Sequence, residues 1–211
     1  MKKYVFDKQD GILLNKLLNN IMRRMDSITR EHSERVSVYA ILIGKTMQLT
    51  KEDLKLLGVA GLLHDVGKML IAETILYKNI KLNQNDWRIM KQHSALGIKY
   101  VESQTEYKQM SENGRELFRR FISYTIGNHH RFYDGTGYGT DPFNSHEKIP
   151  LFARIMNIAD SFDAMTSYRP YNDIVLKPKK TNKQAIKELN RCAGTQFDPF
   201  IVHKFSQHIE A

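Results

Sequence analysis

The 211-residue chain is predicted to be all-α, a single domain of roughly seven to nine helices. Apolar residues recur at helical spacing along nearly the whole chain, and no stretch alternates apolar and polar residues over a strand's length. No internal repeat, low-complexity tract or linker divides it, and its length suits one core.

The elements follow in order. A first helix covers about Gly11 to Met25. In the second, His32, Val36, Ala40, Ile43 and Met47 form one apolar face with His32 at its start. Thr50 caps a third helix, with Asp53 three residues on, and Leu54, Gly58, Gly61 and Asp65 share a stripe, so a carboxylate ends a core face. Asn83 and Asp86 open a helix containing Trp87 and Met90. Gly114 to Gly127 forms another, with Leu117, Phe121 and Ile122 inward and Phe118 and Tyr124 in the same core group. From His130 to Pro150 the residues Gly135, Gly137, Gly139, Pro142 and Pro150 impose a long loop, a kind of segment that is usually functional. Ile149 to Met165 is apolar nearly all round and reads as a buried central helix that nevertheless carries Asp160 and Asp163. Helices at Thr181 to Arg191 and Asp198 to Ile209 complete the set.

Composition excludes several classes. A lone Cys192 leaves no disulfide scaffold and fits a reducing, cytoplasmic compartment. No apolar run approaches the ~18 residues of a membrane span. The first residues, with Lys2, Lys3, Asp7, Lys8, Asp10 and Lys16, lack the apolar segment of a signal peptide, so no membrane association is expected. The net charge of +9 asks for an anionic partner, but the basic residues are scattered as Arg23-Arg24, Arg119-Arg120 and Lys177 with Lys179-Lys180. No nucleic-acid signature accompanies them, and a phosphate-bearing small molecule is as plausible a partner as a polymer on this ground.

The chemistry lies in His32, His64, Asp65, His93, His129, His130 and Asp160, which fall at helix ends or inside the buried helix. Burying several carboxylates and imidazoles together is costly without a cation, so a metal site is expected. Imidazole and carboxylate suit iron, manganese or zinc, and seven ligands exceed the needs of one ion. Two ions about 3.5 to 4 Å apart would turn a bridging water into hydroxide near neutral pH and stabilise phosphoryl oxygens, which points to phosphate-ester hydrolysis. Lys68, three residues after Asp65 and four after His64, would face an anion held there. His146, His203 and His208 read as surface residues without a role.

The run Gly61-Leu62-Leu63-His64-Asp65-Val66-Gly67-Lys68 resembles the HD-x-G-K signature of HD-domain metal-dependent phosphohydrolases. His129-His130-Arg131-Phe132-Tyr133-Asp134-Gly135-Thr136-Gly137-Tyr138-Gly139 is similar to the HHE-x-x-DG-x-GYP block of their HD-GYP subfamily. Ile149-Pro150-Leu151, Asp160-Ser161-Phe162-Asp163, Arg169-Pro170-Tyr171 and Gly194-Thr195-Gln196-Phe197-Asp198-Pro199 follow in the family's order.

The resemblance implies an HD-type helical bundle that hydrolyses cyclic di-GMP to pGpG, with further hydrolysis to GMP left open, so that the partner is a cyclic dinucleotide and not a nucleic-acid polymer. A domain at 28–211 would follow an N-terminal helical extension at 1–27. His32, His64, Asp65 and Asp160 would hold one divalent ion, and Asp65 would bridge to a second held by His93, His129 and His130. The ions would be iron or manganese, with zinc, nickel, cobalt and magnesium as alternatives. Asp65 and Lys68 would be catalytic, Lys68 steadying a phosphoryl oxygen; Gly137 would lie against substrate. Arg169 would clamp a phosphate or cap the central helix, Asp163 would orient substrate or a metal ligand, and Tyr138 would stack on a base or pack its loop. The N-terminal helix or the 131–149 loop would offer a contact to a second copy or a signalling partner.

Departures from the family pattern qualify the substrate. Arg131 replaces the Glu of HHE, Gly139 replaces the Pro of GYP and loosens that loop, and Asn172 replaces a Lys. Ile28 stands where three-metal members carry Glu, which favours two ions. Cyclic GMP-AMP or another phosphorylated nucleotide is the alternative substrate, and a non-catalytic ligand- or partner-binding module the alternative role.

Overall fold

The computed structural model describes residues 5–141, 149–167 and 179–209. Among them the chain is helical, with only the isolated bridges Arg131 to Gly137 and Ala193 to Phe197. No helix among the described residues is long and apolar enough to cross a membrane.

Helix α1 (Lys8–Arg24) starts where the Asp7 carboxylate accepts the Asp10 N–H. Its Leu13, Leu14, Leu17 and Ile21 join the same core as the later helices, and the Asp10 carboxylate accepts both the N–H and the hydroxyl of Ser111. The segment read as an extension at 1–27 is thus packed into the bundle, because its apolar stripe has a core to bury in.

Helix α2 (Ser27–Thr46) buries His32, Val36, Ala40 and Ile43, and α3 (Lys51–Leu63) is capped by Thr50. The two lie in close contact at small residues. A Cβ on Gly61 would sit 2.6 Å from Ser37 Cα, and the Ser37 hydroxyl donates to the Gly58 carbonyl at 2.9 Å. That approach leaves the His32 and His64 rings 5.2 Å apart.

After α3 the chain tightens into a 3₁₀ turn, Val66–Leu70, then passes through α4 (Glu73–Leu76) and α5 (Gln84–Met90), which opens on the Asn83 and Asp86 capping box. Helices α6 (His93–Ser103) and α7 (Thr105–Gln109) were not anticipated. Ser94, Gly97 and Ser103 weaken the local helical signal of α6, whose conformation is supported by its packing on the 3₁₀ turn.

The expected helix at Gly114 to Gly127 appears as α8 (Glu112–Phe118), a π turn at Arg119–Ser123 and α9 (Tyr124–Asn128). Phe118 and Ile122 are fully buried, but Tyr124 is 42% exposed and does not belong to the core group assigned to it. The wider π turn offsets the faces before and after it, which carries Tyr124 outward. Helix α10 (Leu151–Thr166) is the buried central helix, with Phe152, Ile155, Met156, Ile158, Ala159 and Phe162 in the core. Helix α11 (Asn182–Arg191) packs on α10, and α12 (Pro199–Ile209) packs on α11 and α2, with its Phe205 ring 5.1 Å from Phe162 of α10 and an Arg154 to Asp198 ion pair joining α10 to its start.

Candidate metal centre

Four helix ends and the middle of two helices bring the seven histidines and aspartates together. Their ligand atoms form two groups, each within 4.8 Å: His32, His64 and Asp160 in one; Asp65, His93, His129 and His130 in the other. Asp65 stands between them. Its Oδ2 is 3.3 Å from His64 Nε2 and 3.5 Å from His32 Nε2, while its Oδ1 is 3.4 Å from His93 Nε2 and 3.9 Å from His129 Nε2.

The imidazoles are held by a repeated local device. His64, His93 and His129 each donate Nδ1–H to the carbonyl three residues earlier, on Gly61, Met90 and Ile126, at 2.7 to 2.8 Å. Those carbonyls are free because they lie in terminal turns of α3, α5 and α9. With the proton on Nδ1, each Nε2 presents a lone pair to the centre, the tautomer a metal ligand needs.

The site fits cations. His93 Nε2 and His129 Nε2 face each other at 3.4 Å, two lone pairs with no proton to share. His32 Nε2, His64 Nε2 and Asp65 Oδ1 are buried and make no hydrogen bond among the described residues. Burial lowers the pKa of His129 well below normal, and repulsion from His130, His64 and His93 reinforces it; burial likewise lowers His93, and takes His130 down to about 3. These three are neutral, ligand-ready imidazoles.

Charge gathers on the other side. Burial would raise the pKa values of Asp65 and Asp160, but Lys68 and His64 at the first, and His32 at the second, hold both well below the carboxylate range. Burial would lower His32, yet Asp160 at 3.1 Å, with Asp163 and Asp65, raises it to about 10. Ionised carboxylates beside unpaired nitrogens form a donor set suited to borderline divalent ions, and divalent metals fit the residues present.

Against known proteins, the model describing the HD domain matches residues 16–201. The chain belongs to the HD domain family. The cyclic di-GMP phosphodiesterase response regulator RpfG of Xanthomonas campestris is 34% identical over 194 residues, 92% of this chain and 46% of RpfG. The 3'3'-cGAMP-specific phosphodiesterase 2 of Vibrio cholerae is 29% identical over 195 residues, 91% of this chain and 34% of that protein. This HD domain therefore spans about a third to a half of the length of these curated relatives. Among solved structures, Bd1817, an HDG"Y"P protein from Bdellovibrio bacteriovorus, superposes with a TM-score of 0.63 at 15% identity, over 96% of this chain and 62% of Bd1817, a likeness of fold. The ordered HD and HD-GYP-like motifs agree with these relatives.

Other residues of this HD domain take specific places. The Lys68 ammonium rests on Asp65 Oδ2, reached from the 3₁₀ turn rather than from a continued α-helix. Asp163 is fully buried, and its carboxylate is engaged by His32 Nδ1 at 2.7 Å, Arg35 and Ser167.

Gly137 has φ of +80°, and a Cβ there would lie 2.3 Å from the His130 carbonyl, so the backbone turn requires glycine at this position. The next N–H, of Tyr138, donates to that carbonyl at 3.1 Å and sets the phenol ring 4.7 Å from the His130 ring, at the edge of the centre. Gly139 lies at a close approach of two backbones. Its Cα is so close to Asn128 that a Cβ would be 2.6 Å from Oδ1, and Asp141 bonds to Asn128 at 2.8 Å through its carboxylate. Arg131 donates to the Asp141 carbonyl at 2.7 Å. The Glu-to-Arg and Pro-to-Gly departures thus belong to a loop pinned on α9. Arg169 and Asn172 lie outside the described residues.

Proposed function

We propose that this chain is a binuclear metal-dependent phosphodiesterase that opens cyclic di-GMP to pGpG. The supporting observation is the placement of Asp65, whose two oxygens face two separate sets of imidazole nitrogens. In this reading His32, His64, Asp65 and Asp160 hold one ion and Asp65, His93, His129 and His130 the other, iron or manganese in each. Bound there, the ions would supply a water nucleophile ionised near neutral pH and charge to stabilise phosphoryl oxygens.

The chain's own residues do the rest. The backbone-anchored imidazoles keep the centre rigid, and the buried apolar wall of α10 limits water. Lys68 has an ammonium at the centre, placed to meet a non-bridging phosphate oxygen when substrate displaces it from Asp65. Tyr138 offers a ring at the edge for a base, and Arg169, outside the described residues, is assigned a phosphate by its motif.

Cyclic GMP-AMP is the second reading, favoured by a relative named for that substrate over a comparable length of this chain and by the altered GYP triplet. The test incubates manganese- or iron-loaded protein with cyclic di-GMP and cyclic GMP-AMP and separates products by chromatography. Linear dinucleotide from cyclic di-GMP is expected; turnover of the mixed dinucleotide alone selects the second reading, and no turnover of either rejects both.

Lys68→Ala is expected to keep both metals, since removing a cation from Asp65 cannot weaken its hold on another. Its kcat should fall by about 10²- to 10³-fold, the cost of losing one preorganised charge. Metal analysis beside steady-state kinetics checks this, and metal loss equal to the loss of rate would contradict it.

A further inference from the structure

Resting on the reading of His32 as a metal ligand, we propose that Arg35 is a positioning residue of the centre, which fixes the His32 ring by gripping Asp163 with its guanidinium fork. His32 differs from its companions. His64, His93 and His129 find a free carbonyl in a terminal helical turn, whereas His32 lies inside α2, where the carbonyls before it are engaged in the helical ladder. Its Nδ1–H is given instead to a side chain of another helix, Asp163 of α10, at 2.7 Å.

A single buried carboxylate is an insecure anchor, since it costs desolvation and can rotate. Arg35 removes both problems. Three residues after His32, it lies on the same face of α2, and it donates from Nε to Asp163 Oδ1 at 2.7 Å and from Nη2 to Oδ2 at 3.2 Å. Ser167 donates to Oδ1 at 2.7 Å. Asp163 is fully buried, while the Arg35 side chain is 38% exposed, so the arginine reaches in from the surface without touching the centre. Its two donors are coplanar and match both oxygens, which a lysine ammonium cannot do. The His32 ring is therefore fixed by a pair of α2 residues clasping one α10 carboxylate, which also locks α2 to α10 at the centre.

The test strips the full chain with chelator and titrates Mn²⁺ by calorimetry, for wild type, Arg35→Gln, Arg35→Lys and the neighbouring surface variant Glu34→Gln. Wild type and Glu34→Gln should bind in two steps with equal affinities between them. Arg35→Gln should weaken one step by about 10- to 100-fold, the usual loss when a ligand's orienting partner is removed, and leave the other step unchanged. Arg35→Lys should weaken the same step by a smaller factor. A merely structural arginine would affect both steps together or neither, and either result in Arg35→Gln overturns the proposal. If that variant does not fold, Arg35→Lys decides: wild-type affinity at both steps overturns it. Two-step Mn²⁺ binding without cyclic dinucleotide turnover would sink the phosphodiesterase reading alone, while wild-type protein that binds no Mn²⁺ sinks both.

Discussion

Asp65→Asn protein is expected to lose high-affinity binding of both metals and to turn over cyclic dinucleotide slower by on the order of 10³-fold or more. The substitution keeps size and shape, so the effect is one of charge. In the native chain one oxygen of Asp65 faces His32 and His64 while the other faces His93 and His129. An amide must direct its NH₂ toward one of those sets, where it donates to imidazole lone pairs and repels the cation that the carboxylate would attract. The remaining carbonyl carries no charge for the other set. Elemental analysis and Mn²⁺ titration alongside kinetics check the result. Two metals retained at native affinity would show that Asp65 is no bridge, whatever happened to the rate. Comparison with Lys68→Ala separates holding the metals from using them.

Gly67→Ala is expected to destabilise the chain by about 3 kcal/mol or more and to weaken the metal set built on His93. A Cβ at Gly67 would lie 1.9 Å from the His93 carbonyl oxygen and 2.6 Å from Gly97 N, all backbone atoms that cannot swing aside. Gly97 faces back, with Gly67 N 3.2 Å from where its own Cβ would be. Two glycines thus allow the 3₁₀ turn to rest on α6, and that contact sets Asp65 within 3.4 Å of His93 Nε2. Relief of the clash requires the turn and α6 to separate, which pulls the carboxylate from the imidazole. For a domain of ordinary marginal stability, a loss of this size is a large fraction of the whole. Urea unfolding measures it, with Gly11→Ala as the contrast: nothing lies within 4 Å of a Cβ there, so alanine should be neutral or stabilise α1 by up to about 1 kcal/mol. A native urea midpoint for Gly67→Ala would refute the packing argument.

Much of this was legible in advance because it is local. Helix starts at Thr50, Asn83 and Thr181 are written in their capping residues, and the core stripe of α2 in its spacing. The histidines and aspartates stood out as groups too polar for the positions they occupy. What escaped was non-local. Helix α6 carries glycine and serine and is held by what it packs on; Tyr124 is turned outward by a π turn no residue pattern announces. Arg35 gave no signal at all: an arginine three residues after a histidine is common, and its meaning appears only when Asp163 of a distant helix comes between them. Gly67 and Gly139 were read through motif and flexibility, while the structure assigns both to close approach, by the backbone of α6 and by Asn128 respectively.

Sequence alone determined that this is a helical chain with seven nitrogen and oxygen donors at apolar positions, because periodicity, caps and the cost of burying charge depend on each residue and its near neighbours. Tertiary structure alone decided which oxygen of Asp65 faces which imidazoles, and which side chain steadies each ring. Those relations join residues as far apart as His32 and Asp163, separated by 131 positions, and exist only once helices have packed closely enough for angles and distances to be set.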